Sequence, residues 1–324
     1  MRTMLVGDLG EFGLIDALAR VVAEENSASI KRNTEHGFKL RLSIGDDAAA
    51  WDEPSGGRVL TTDTLVEGVH FDLSRTGWSD LGWKSMAVNL SDVAAMGCSP
   101  LYAVVTLGLR GDLPVDGLME MYVGMADACR KYGGAIVGGD VVSSPVFFVT
   151  VALIGASVAS EPDGGSSQTL LTRDAASPGD KIAVTGSLGC SAGGLRMLKE
   201  GLQLDARTTA HLKDAYDRPV PRISEGIALV QRGVATGMDV SDGLVDDMAK
   251  LCKASGVRAV VQSDLVPVDA ALRHAFPSDW LDMALTGGDD YELLFTAPTD
   301  VMDRVPADLE VPVSVIGDVV EGPP

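Results

Sequence analysis

One segment divides this chain before any other feature is considered. Glu161-Pro-Asp-Gly-Gly-Ser-Ser-Gln168 is polar and glycine-rich, and such a stretch cannot hold a buried element. A chain of 324 residues broken there is expected to form two packed domains, 1–160 and 169–324. Hydrophobic residues make up 46% and charged ones 22%, the balance of an ordinary globular protein. With aromatics at only 5%, the core must come mainly from Ala, Val, Leu and Met.

On either side of the break the pattern is mixed. β-Branched runs at 59–64, 102–109 and 146–154 read as strands, and Ala/Met/Leu-rich patterns near 81–96 and 118–132 as helices. Beyond the break, strands are expected at 181–185, 259–262, 292–296 and 313–316, and helices at 191–200, 221–232 and 244–255. Strand and helix do not alternate strictly, so an α+β organisation in two domains is favoured over a doubly wound sheet.

The charge narrows the function. Against 26 basic residues stand 46 acidic ones, a net −20, which repels a phosphate backbone and argues against nucleic-acid binding. An acidic protein that handles nucleotides needs divalent cations to neutralise its ligands. Four cysteines, Cys98, Cys129, Cys190 and Cys252, form no CxxC pair and fit a reducing cytoplasm. Residues 1–20 lack a signal-peptide core, and the longest apolar stretch, 146–159, is too short to span a membrane.

The aspartates carry the chemical signal. Asp46 and Asp47, Asp63, Asp92, Asp140, Asp239 and Asp242, and Asp289 and Asp290 are nearly all flanked by small or apolar residues. A carboxylate drawn into such surroundings is costly unless it is paired or binds metal. Hard oxygen donors without a His or Cys cluster point to Mg²⁺. Bland roles stay open at individual positions: Asp242 could cap the helix after Gly243, Asp246 and Asp247 could complement its dipole, and Asp46 or Asp47 could be a turn residue. Gly138-Gly139 reads as the end of a strand, where a bare backbone could approach a phosphate beside Asp140. There is no GxxxxGK[ST], no GxGxxG after a strand and no HRD/DFG set, so neither a P-loop nor a protein-kinase site is present.

Taken in order, Gly10-Glu-Phe12, Ile44-Gly-Asp-Asp47, Thr61-Thr-Asp-Thr-Leu-Val-Glu-Gly-Val-His70-Phe71 and Asn89-Leu-Ser-Asp-Val-Ala-Ala-Met-Gly97 resemble the thiamine-monophosphate kinase family. So do Gly138-Gly-Asp140, Met238-Asp-Val-Ser-Asp-Gly-Leu244 and Thr286-Gly-Gly-Asp-Asp-Tyr-Glu-Leu-Leu294. The resemblance implies two α/β domains of the aminoimidazole ribonucleotide synthetase-like type, the N-terminal one binding metal and ATP and forming a homodimer through its mixed sheet. It implies ATP as co-substrate, several Mg²⁺ ions, thiamine monophosphate as acceptor, a cytoplasmic location and no dedicated acid or base. It implies metal ligation by Asp47, Thr61, Thr62, Asp63, Asp92, Asp140, Asp239 and Asp242. ATP contacts would come from Tyr122, Gly139, Asp140, Arg173 and Ser241, and substrate contacts from His70 and Glu292. The family continues past the segment matching 315–318 to an aromatic that packs on the substrate ring, whereas this sequence ends at Pro324. Two alternatives stay open: a sister ATP-dependent synthetase, and a non-catalytic nucleotide- or metal-binding protein.

Overall fold

The computed structural model describes residues 4–42, 50–52, 58–157, 170–305, 309 and 311–324. Asp46, Asp47 and the break at 161–168 lie outside the described residues. Two compact units emerge, Met1–Val93 with Ser99–Ala156, and Ala94–Cys98 with Ser157–Pro324.

The first unit runs α1 (Val6–Glu25), α2 (Ser27–Glu35), β1 (Lys39–Leu42), β2 (Ala50–Asp52), β3 (Arg58–Val66), α3 (Trp78–Ala95), β4 (Cys98–Leu109), α4 (Val115–Tyr132), β5 (Ile136–Ser143) and β6 (Phe148–Ser157). Its main sheet has the order β3-β6-β4-β5, with β3 and β6 antiparallel but β4 and β5 parallel, so it is mixed. Alternation along β6 buries Val149, Val151 and Leu153 on one face, each contributing about 1.5–3 kcal/mol by burial. The helix α4 turns Leu118, Met121, Tyr122, Met125 and Cys129 inward at helical spacing. Asp116 in its first turn and Arg130 and Lys131 in its last complement its dipole, and Gly133 at φ 106° ends it. Buried Asn33 donates to the Leu101 carbonyl at 2.7 Å, tying α2 to the start of β4.

The second unit runs β7 (Lys181–Thr185), α5 (Cys190–Glu200), α6 (Ala206–Asp217), α7 (Ile223–Gln231), β8 (Thr236–Asp239), α8 (Leu244–Ser255), β9 (Arg258–Val261), α9 (Ala270–Ala275), α10 (Trp280–Thr286), β10 (Leu293–Ala297), α11 (Thr299–Met302) and β11 (Val313–Val320). Its sheet, β8-β10-β7-β11-β9, is antiparallel at every described pairing. Ile182, Val184, Met238, Leu294 and Ile316 from this sheet pack with Leu244, Met248 and Leu251 of α8. The α+β expectation holds. Gly138 and Gly139, however, are interior to β5, which continues through Asp140 to Ser143.

Candidate functional site

The acids of the first unit gather where β3 meets α3. Residues of a strand alternate between faces, so Thr61 and Asp63 turn one way and Thr62 and Thr64 the other. The Thr61 hydroxyl donates to the Asp92 carboxylate. The Asp63 backbone N–H donates to Asn89 Oδ1 at 3.0 Å. Asn89 and Asp92 stand three apart on α3, which places both on the face that β3 meets. The Asp63 carboxyl is pushed up to about 6, first by burial of its acidic group and then by the negative charge of Asp92, with His70 pulling it back. His70 follows in the turn after β3, and its Nδ1 accepts the Val66 N–H at 3.1 Å. Thr62 instead donates to the Val151 carbonyl at 3.0 Å, so its hydroxyl is turned away from Asp63 and Asp92.

Asp140 is not part of that group. It lies on β5, paired with Thr106 of β4, at the sheet edge opposite β3, three strand spacings or about 14 Å away. Its neighbour Gly139 serves the sheet: a methyl built there would overlap the Val105 carbonyl on β4. Tyr122 lies in the buried stripe of α4 at 6% exposure, with burial driving its hydroxyl pKa upward, and so presents little surface to a nucleotide. Among the described residues no three His, Cys, Asp or Glu side chains are grouped so that they could hold a metal ion. Of the expected metal ligands, Thr61, Asp63 and Asp92 stand together, Thr62 lies between them on the opposite face of β3, Asp140 is on β5, Asp239 and Asp242 belong to the second unit, and Asp47 lies outside the described residues.

In the second unit two loops zip together. Asp289 N–H donates to the Ser241 carbonyl at 2.9 Å, Tyr291 N–H to the Val240 carbonyl at 2.8 Å, and Val240 N–H to the Glu292 carbonyl at 2.8 Å. Asp239 ends β8 opposite Leu293 and is buried. The fully buried Asp247 carboxylate accepts from the N–H groups of Ser241 and Asp242, both at 2.9 Å, and from Lys250 Nζ at 2.6 Å. Lys250 also pairs with Asp242. The cap of α8 is Gly243 at φ 113° without a side-chain bond, so Asp242 is not a cap. Arg173 is exposed and forms no ion pair among the described residues.

The Gly287-Gly288-Asp289-Asp290-Tyr291-Glu292 loop carries two non-glycine residues in the left-handed region, Asp289 at φ 67° and Tyr291 at φ 54°. Such strain persists only where surrounding structure imposes it, and it clusters at functional sites. Between them, Asp290 accepts from the Gly189 N–H at 2.6 Å and the Ser191 N–H at 3.4 Å, at the start of α5. Burial pushes its carboxyl up to about 8, against those two bonds and with help from Glu292 and Asp289. Asp290 and Glu292 line a cavity of about 180 Å³ together with Cys190, His211, Arg218 and Arg222. Glu292 itself is 5% exposed and held by Arg222. Asn89 and Arg222 are absent from the sequence-based site residues, and Asp247 was read there only as a complement to the helix dipole. Asp290 was visible there as an acid in a glycine-rich setting, but nothing local marks Arg222, which lies 70 positions from its partner.

Residues 45–157 match the AIR synthase related protein, N-terminal domain, and residues 177–324 its C-terminal domain. The thiamine-monophosphate kinase of Escherichia coli (strain K12) is 39% identical over 285 residues, 86% of this chain and 84% of that protein. That of Aquifex aeolicus (strain VF5) is 33% identical over 300 residues, 92% of this chain and 89% of that protein. The crystal structure of thiamine-monophosphate kinase from Stenotrophomonas maltophilia K279a superposes with a TM-score of 0.80 at 33% identity, covering 99% of this chain and 96% of that one. AaThiL complexed with AMPPCP and TMP superposes with a TM-score of 0.74 at 31% identity, covering 100% of this chain and 94% of that one.

Proposed function

The chain belongs to the thiamine-monophosphate kinase family, and we propose from that premise that it passes the γ-phosphoryl group of ATP directly to its acceptor, in line and with magnesium. It is a phosphotransferase that makes thiamine diphosphate from thiamine monophosphate and ATP. The observation that carries this is the relative complexed with AMPPCP and TMP, whose fold this chain shares along its whole length. An oxygen of the acceptor phosphate attacks the γ-phosphorus, and the bond from that phosphorus to the β–γ bridging oxygen breaks, releasing ADP. The acceptor oxygen is already anionic near neutral pH, so no strong base is needed, and the task is to position two polyanions and neutralise them.

The donor set at β3 and α3 suits magnesium. Thr61, Asp63 and Asp92 offer only hard oxygens, and the Asp63 carboxyl is raised first by burial and then by the Asp92 charge, both of which a bound cation would offset. These residues would hold the ion, which supplies neutralisation of phosphate charge when bound. Asp140, Asp239 and Asp242 are the remaining candidates for further ions. Arg173 would give phosphate two parallel N–H donors, Ser241 and Gly139 would meet ATP through short contacts, and His70 and Glu292 would orient the acceptor. Tyr122 supports the nucleotide site through packing of α4.

We assign the open face of the mixed sheet to a second copy of this chain. Leu60, Val104 and Val142 are 73%, 40% and 40% exposed there, and an open sheet face bearing large apolar residues is the kind of surface partners cover. Sedimentation at twice the monomer mass is expected, and a monomer at micromolar concentration contradicts it. The four cysteines are free and buried, which favours a reducing cytoplasm, and no helix among the described residues is long and apolar enough to cross a membrane.

The test is a mixture of protein, ATP, Mg²⁺ and thiamine monophosphate with the thiamine species separated chromatographically. Thiamine diphosphate and ADP in equal amounts, lost when metal is omitted, are expected. ADP formed without thiamine diphosphate contradicts the reading.

A further inference from the structure

We propose that Arg222, with Thr185 and the bare backbone of Gly186, positions the Glu292 carboxylate so that one acceptor site remains for a neutral N–H donor, the aminopyrimidine ring of the substrate. This rests on the reading of Glu292 as a substrate contact. Glu292 immediately precedes β10, and its two oxygens are nearly spoken for. Arg222 reaches Oε1 through Nη2 at 2.5 Å and Oε2 through Nε at 2.7 Å, and Thr185 Oγ1 donates to Oε2 at 2.6 Å. The Thr185 hydroxyl in turn accepts the Leu293 N–H at 2.8 Å, so its single proton is committed to Glu292. Gly186 closes the cradle at φ 57°, where a methyl would overlap the carboxylate.

A carboxylate offers about four acceptor sites, and the three donors found among the described residues leave one. Arg222 and Glu292 both line the cavity of about 180 Å³, the scale of a single ring rather than a nucleotide. Their charges cancel, so the remaining acceptor recognises a neutral donor better than a full cation such as the thiazolium. A buried ion pair is a poor device for stability alone, because desolvating both charges costs about as much as their attraction returns. A forked guanidinium on a carboxylate does fix orientation, and lysine cannot reproduce it.

The experiment compares thiamine monophosphate with oxythiamine monophosphate, in which the amino group is replaced by oxygen. We expect the wild type to prefer the amino substrate in kcat/KM by about tenfold or more, since a site built to receive an N–H rejects an analogue without it. Glu292→Gln, Arg222→Lys and Gly186→Ala should each bring that ratio to within about twofold of unity, mainly through KM for thiamine monophosphate, with KM for ATP little changed. Gly186→Ala keeps the ion pair and only displaces it, so it serves where Arg222→Lys folds poorly. Loss of selectivity in Glu292→Gln but not in Arg222→Lys and Gly186→Ala overturns the positioning role. Unchanged selectivity in Glu292→Gln removes the substrate contact and the proposal with it. A wild type that forms no thiamine diphosphate from the amino substrate refutes the kinase reading itself.

Discussion

Asp247 and Asp290 show how one residue type is held in two different conditions. Asp247 is buried but collects two backbone N–H groups and Lys250, and so serves as the brace of the Ser241–Asp242 loop. Asp290 also receives two N–H groups, yet it sits beside Glu292 and Asp289 and is raised to about 8. The unfolded value is near 3.8, so the native state binds the extra proton between about pH 4 and 8. Asp290 therefore lends stability below that window and loses it as pH rises through it. Replacing it with Asn, which cannot titrate, should shift the unfolding midpoint relative to wild type increasingly in favour of the variant from pH 5 to 8, with no further change above. A difference independent of pH contradicts the shift. At this scale the sequence revealed the acids but not their company. Asp63 stands out in an apolar strand, whereas Asn89, 26 positions away, looks like any polar helix residue until α3 lies against β3.

Among the elements, α3 and α4 approach closely enough for backbone to meet backbone. Methyls built on Gly82 and Gly124 would overlap the carbonyls of Met121 and Ser79 respectively, so each helix reserves a bare position for the other's backbone. Because α3 carries Asn89 and Asp92, this crossing also sets where they meet β3. Gly82→Ala should cost about 1–3 kcal/mol in urea unfolding, as overpacking does, and a loss below about 0.5 kcal/mol contradicts the contact. Periodic, well-punctuated elements were readable: β7 and α8 run as expected from their patterns, and α8 ends at Gly256 in the left-handed region. Helix α6 was not, because only Thr208, Leu212, Tyr216 and Asp217 are buried and the rest of its sequence is alanine or polar; the Asp205 cap, accepting from Arg207 and Thr208 at 3.1 Å, was its one local signal. Gly138-Gly139 misled for a physical reason, since glycine inside a parallel pair mimics a strand end until the neighbouring carbonyl is seen.

For the molecule as a whole, a net charge of −20 and a polyphosphate substrate are reconciled only if cations stand between them. The two-domain organisation and the α+β class followed from the break and the irregular order of elements. The distribution of the acids did not, because which strand face a residue occupies and which edge its strand takes are properties of the sheet. In the proposed reading, the carboxylates of Asp63 and Asp92 at β3 and α3 hold the central place in neutralising charge during transfer. The measurement that bears on this most directly is the rate of thiamine diphosphate formation by Asp63→Asn at saturating ATP and Mg²⁺, alongside its unfolding midpoint. The expected result is a loss on the order of 10²-fold or more in turnover with the midpoint unchanged or raised, since removing preorganised charge at a transfer site costs about that much. Turnover within a few-fold of wild type in a folded Asp63→Asn would show that the carboxylates on β3 and α3 are not where the phosphoryl charge is met.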